Sequence, residues 1–77
     1  MKITVLFFGV LTETASTSVK VYRDVGTLGD LELRLSDDFP GIRNYEFRIS
    51  LNGEIVNEDA VLKDGDEIAL LPPFAGG

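Results

Sequence analysis

One stretch of the sequence decides which architectures are open to it. Leu28, Leu31, Leu35 and Phe39 recur at intervals of three and four, which makes a single apolar stripe along a helix. Asp30, Glu32, Arg34 and Asp37 are left to solvent, and Leu33 falls at the stripe's edge. Thr27, with Asp30 three residues on, reads as an N-cap with an acidic residue at N3, a variant of the capping box. Pro40-Gly41 ends the segment. A lone amphipathic helix must bury its stripe against something, and the rest of the chain is patterned for strands. The expected result is a two-layer α+β domain, one helix on one face of a mixed sheet.

The strands follow from two-residue alternation. From Lys2 to Phe8, the residues Ile3, Val5 and Phe7 share one face, the core side. Lys2, Thr4, Leu6 and Phe8 share the other, which is more apolar towards its end than one-sided burial requires. Gly9 breaks this strand, and Val10 to Ala15 read as a short helical turn. Beyond Ser16-Thr17-Ser18, Val19 and Val21 point one way and Lys20 and Tyr22 the other, in a second strand expected to pair antiparallel with the first. After the helix the period of two returns, with Tyr45, Phe47, Ile49 and Leu51 expected inward and Glu46, Arg48 and Ser50 outward. Asn52-Gly53 is the dipeptide of a type I′ hairpin, so Glu54 to Val56 fold back as a short fourth strand.

Asn57, Glu58 and Asp59 read as a solvated polar loop, its acidic groups able to pair with basic residues on a partner, Val61 and Leu62 as a small apolar anchor, and Lys63-Asp64-Gly65-Asp66 as a second turn. In the final strand, Glu67 to Leu71, Ile68 and Leu70 alternate against Glu67, Ala69 and Leu71. Two strands, a helix and three strands, giving a sheet of four to five strands with one main helix on one face, is the β-grasp (ubiquitin-like) arrangement.

Composition narrows the chemistry. Seventy-seven residues make one small domain with a core near the minimum for independent folding. The absence of cysteine rules out disulfides and thiolate metal sites. Histidine is absent as well, so the usual activated nucleophile and the usual neutral-pH base are both missing, and the chain is expected to be non-catalytic alone. A net charge of −6 argues against nucleic acid and anionic membranes and suits a basic protein partner. Arg34, Arg43 and Arg48 are too dispersed for a nucleic-acid site. Asp64-Gly65-Asp66-Glu67 lacks the ligand spacing of a calcium loop, so no metal is expected. No apolar run is long enough to span a bilayer and the sequence opens on a strand pattern, so the expected location is the cytoplasm.

The last eight residues, Leu70-Leu71-Pro72-Pro73-Phe74-Ala75-Gly76-Gly77, are patterned for use. Neither proline can donate a ladder hydrogen bond, so sheet pairing is expected to stop near Leu71 and the remainder to project. Two glycines without Cβ atoms suit a channel too narrow for other residues. The expected division is a β-grasp domain over residues 1–73 and a flexible Gly-Gly tail over 74–77.

Ile3-Thr4-Val5-Leu6-Phe7-Phe8, Leu51-Asn52-Gly53, and Asp64-Gly65-Asp66-Glu67-Ile68-Ala69 leading to Leu71-Pro72-Pro73-Phe74-Ala75-Gly76-Gly77 together resemble the MoaD family, the ubiquitin-like sulfur-carrier subunits of molybdopterin synthase. The related ThiS carriers of thiamine synthesis share the fold and the Gly-Gly end but commonly lack the Pro-Pro. The resemblance implies that an E1-like enzyme of the MoeB/ThiF type, using ATP, adenylates Gly77, with Gly76 beside it. Sulfur then displaces AMP to leave a thiocarboxylate. It further implies a MoaE-like large subunit, in a heterotetramer, where that sulfur attacks the cyclic pterin precursor. The carrier itself needs no cofactor. Phe8, Leu71, Ile55 and Phe74, with Ala75 on the tail, become candidate partner-binding residues, because a contiguous exposed apolar patch marks docking. The competing readings are a ubiquitin-like modifier joined to lysines through Gly77, a ThiS-like sulfur carrier for thiamine synthesis, and an interaction module with an inert end.

Overall fold

The computed structural model describes residues 1–72. Five strands form one mixed sheet: β1 (Lys2–Phe7), β2 (Val19–Arg23), β3 (Arg48–Leu51), β4 (Glu54–Val56) and β5 (Glu67–Leu71), in the spatial order β2-β1-β5-β3-β4. β1 runs antiparallel to β2 and parallel to β5, while β3 is antiparallel to both β5 and β4. The helices are α1 (Val10–Ala15) and α2 (Leu28–Asp38), and a 3-10 helix spans Pro40–Asn44. This is the β-grasp architecture expected from the element order.

Helix α2 begins where its cap dictates. The Thr27 side chain accepts a hydrogen bond from the Asp30 backbone N–H at 3.1 Å, and Thr27 itself is extended. Leu28, Leu31 and Leu35 are buried against Ile3, Val5 and Phe7 of β1, Ile68 and Leu70 of β5, and Ile49 of β3 in one core. Phe39 meets the Phe7 ring edge-to-face at 5.5 Å. Leu33, expected at the stripe's margin, is instead 65% exposed, because one position off a narrow stripe turns the side chain fully outward. Asn52 and Gly53 both have positive φ (50° and 92°), the backbone that a type I′ turn requires.

Two expectations need correction. The strand expected from Tyr45 starts only at Arg48, and Tyr45 is 42% exposed rather than inward. The cause lies on the neighbouring strand: Arg48 pairs with Leu71, the last residue of β5, so residues 45–47 have no ladder to join once Pro72 is reached. The apolar anchor is also only half an anchor. Leu62 is buried, whereas Val61 is 74% exposed and makes an isolated bridge to Thr27.

Candidate functional site

The final strand delivers the chain to one end of the sheet. β5 lies between β1 and β3, held by the pairs Phe7↔Leu70 and Arg48↔Leu71, and it ends at Leu71 as the proline rule demands. Pro72 then sits against the backbone of Gly9. A Cβ placed on Gly9 would lie 2.7 Å from Cγ of Pro72, and Gly9 has φ +59°, so only glycine suits both the turn and the approach. The turn is otherwise fixed by α1, where Thr12 donates its backbone N–H to the Gly9 carbonyl and its hydroxyl to the Phe7 carbonyl. The end of β5 and the turn after β1 therefore meet in one close-packed corner. Phe74, Ala75, Gly76 and Gly77 lie outside the described residues.

The outer face of the sheet carries no helix among the described residues. The buried residues of α1, α2 and the 3-10 helix all join the core on the inner face. On the outer face, cross-strand register lines up Val19, Leu6, Ala69, Ser50 and Ile55 in a single row across all five strands. Val19, Val21 and Ile55 are exposed, and Leu6, Ala69 and Leu71 are half-buried. Phe8, just beyond β1, is 44% exposed.

Of the residues expected to form one patch, Leu71 ends β5 and Phe8 stands one residue past the end of the adjacent β1. Ile55 stands two strands from Leu71, with Ser50 and Arg48 of β3 between them. Ser50 does face outward, yet it is 7% exposed, since a small side chain on an inner strand is hemmed in by its neighbours Ala69 and Ile55. The row gains members that alternation alone left unassigned. Val19 and Val21 join it because the antiparallel pairs Leu6↔Val19 and Thr4↔Val21 place them beside the outer residues of β1.

The loops around this scaffold are tied by carboxylates. Asp66 accepts from the Asn52 side-chain amide and from the Lys63 backbone N–H, and the Asn52 carbonyl oxygen accepts from the Glu67 N–H. These bonds, led by the one from Asn52, hold the Asp66 carboxyl below the usual carboxylate range. The segment read as a turn is therefore a turn, clasped to the β3–β4 hairpin, and among the described residues no group of three or more His, Cys, Asp or Glu is placed to hold a metal ion.

Asp59 is more than the solvated loop residue expected. It accepts from the Gly29 and Ala60 N–H groups and so caps the first turn of α2 from thirty residues away. Tyr22 donates to Asp38 at 2.6 Å and lies beneath Lys20 and Arg34, an arrangement with no local sequence signal. No helix among the described residues is long and apolar enough to cross a membrane.

Comparison with known proteins agrees with this geometry. The molybdopterin synthase sulfur carrier subunit of Mycobacterium tuberculosis is 36% identical over an alignment of 85 residues that covers 100% of this chain and 99% of the relative. The fold matches a chain in the complex of subunits 1 and 2 of the molybdopterin-converting factor from Helicobacter pylori, with TM-score 0.80, 30% identity and 100% coverage of both chains. It also matches the small archaeal modifier protein 1 from Methanosarcina acetivorans, with TM-score 0.83 and 27% identity over 99% of this chain and 96% of the other. The model of the ThiS family matches residues 5–77, and the chain belongs to that family.

Proposed function

We propose that this chain is the sulfur carrier of a molybdopterin synthase, acting through the carboxylate of Gly77. The observation that carries the reading is the likeness, at 36% identity and over the full chain, to a relative with that role. The geometry supports it: the sheet ends at Leu71, Pro72 is braced at a fixed corner, and the residues beyond start from the edge of the domain.

A carboxylate is a poor electrophile. In the proposed cycle an adenylating partner joins a Gly77 oxygen to the α-phosphorus of ATP and releases pyrophosphate. Sulfide released by a sulfur donor then attacks the acyl carbon, the acyl–oxygen bond breaks, AMP leaves, and loss of the sulfur's proton gives a thiocarboxylate. In the large subunit that terminal sulfur attacks the cyclic pterin precursor, water cleaves the acyl–sulfur bond to return the Gly77 carboxylate, and two charged carriers supply the two dithiolene sulfurs. The large subunit fits the H. pylori neighbour, solved as a complex of subunits 1 and 2. Acid–base groups come from the partners, in keeping with a sequence that has neither histidine nor cysteine.

The likeness to a small archaeal modifier protein favours a second reading, in which the activated Gly77 is joined to lysines of other proteins. Intact-mass spectrometry of protein isolated from its own cells separates the two. Replacement of one terminal oxygen by sulfur is expected of the carrier and isopeptide-linked conjugates of the modifier; protein that carries neither would refute both.

A further inference from the structure

The inner side of the sheet, opposite the outer row, carries a concave surface. Between α2 and the β3–β4 edge the chain forms a groove of about 870 Å³. Phe47 and Val56, both packed on the core, give it an apolar floor. One wall is anionic: Glu32 projects from α2, and Glu58 and Asp59 from the loop after β4. Arg43 on the 3-10 helix, Glu46 and Arg48 line it as well, so the lining holds four carboxylates and two guanidinium groups.

The anionic wall is crowded. Glu32 lies one turn beyond Gly29, whose N–H holds Asp59, so the two carboxylates share the start of the helix. Burial first, and the Asp59 charge second, push the Glu32 carboxyl above its ordinary value. Adjacent like charges beside an apolar floor are best served by a ligand that brings a cation and an apolar group together.

We propose that this groove is a docking site for a segment of a partner protein in which a lysine or arginine lies next to an apolar side chain. The inference stands apart from the tail chemistry, since the groove and the outer sheet face are on opposite sides and can be engaged together. The chain's own residues 73–77 are a poorer occupant. They include no cation to meet the acidic groups of the lining. A second copy of a chain with net charge −6 is disfavoured by charge repulsion.

The test is a ¹H–¹⁵N titration of the full chain with the capped peptide acetyl-Leu-Lys-Leu-amide, alongside the same peptide with norleucine in place of lysine. The lysine peptide is expected to shift the amides of Gly29, Glu32, Phe47 and Val56, to weaken with added salt, and to draw the Glu32 carboxyl back towards its ordinary value. Glu32→Gln combined with Glu58→Gln, isosteric changes at exposed positions, is expected to weaken binding about fivefold. Equal binding of the norleucine peptide would overturn the proposal, as would shifts confined to Leu6, Val19 and Ala69, or no shifts at all. So would groove amides that move on deletion of residues 73–77, or on dilution without peptide, because these would identify the tail or a second copy as the occupant.

Discussion

Gly9 and Pro72 are pressed together at the end of the sheet, with Cγ of the proline 2.7 Å from where any Cβ on residue 9 would stand. Residue 9 turns the chain out of β1 and residue 72 follows the end of β5, so this contact ties the ends of two neighbouring strands together.

Replacing Gly9 by alanine should therefore be costly twice over. The residue has φ +59° and ψ −137°, a backbone that side chains adopt at a cost of order 1–3 kcal/mol, and the new methyl would have to displace Pro72. Gly26→Ala is the control, as nothing lies within 4 Å of a Cβ there. Urea denaturation should show a loss of about 2 kcal/mol or more for Gly9→Ala and a change within about 0.5 kcal/mol for Gly26→Ala. Equal stability of the two variants would mean that the corner is not rigid.

The start of α2 offers a second measurement. Its leading N–H groups are met by the Ala60 carbonyl, the Asp59 carboxylate and the Thr27 hydroxyl. Thr27→Ala removes a local cap and should cost about 1 kcal/mol, with Thr27→Ser close to neutral. Asp59→Ala should destabilise in the same direction and also raise hydrogen exchange at Gly29 and Ala60. Unchanged exchange at Gly29 would show that the long-range cap is not formed in solution.

These two caps mark the boundary of what the amino-acid sequence discloses. Thr27 was legible because its partner is three residues away, and so was the Asn52-Gly53 hairpin, whose positive φ values are a local requirement. Asp59 was not, since its partner Gly29 becomes a neighbour only after the sheet has formed. Tyr45 failed for a related reason: alternation predicts which way a strand residue points but not whether a partner strand still runs alongside, and β5 has stopped by then. The candidate site divides in the same way. The end of β5 was readable from its prolines, and the apolar tendency of Leu6 and Phe8 from alternation. The row from Val19 to Ile55 is a property of register across five strands, which no single segment carries.

Stability should respond to acid through two groups of opposite sign. Asp66 has a carboxyl held low in the fold, so its contribution is present above about pH 4 and is lost as pH falls through the lowered value. Glu32 has a carboxyl held high, so its contribution is present below about pH 4.3 and is lost as pH rises through the raised value. Glu32→Gln is therefore expected to stabilise the chain near neutral pH and to make little difference near pH 3. Asn52→Asp keeps a residue tolerant of positive φ but removes the amide that donates to Asp66. Carbon-detected titration of the Asp66 carboxyl should then show its pKa rising. An Asp66 titration unmoved by Asn52→Asp would leave the clasp between the two turns without support.

The outer face supplies the last prediction. If Phe8 and Leu71 contribute to docking, Phe8→Ser and Leu71→Ser should weaken binding of the large synthase subunit with little loss of fold, because neither side chain belongs to the core. Truncation of side chains that become buried in an interface commonly costs 1–2 kcal/mol or more, about tenfold in affinity. Ile55→Ser tests how far the surface extends, since Ile55 is exposed and separated from Leu71 by β3. Val61→Ser, at an exposed position with no place in the row, should leave affinity unchanged. Calorimetry with the purified large subunit, after each variant's fold is checked by circular dichroism, gives the comparison. A Phe8→Ser and Leu71→Ser pair that binds as tightly as the parent would remove these two residues from the docking surface.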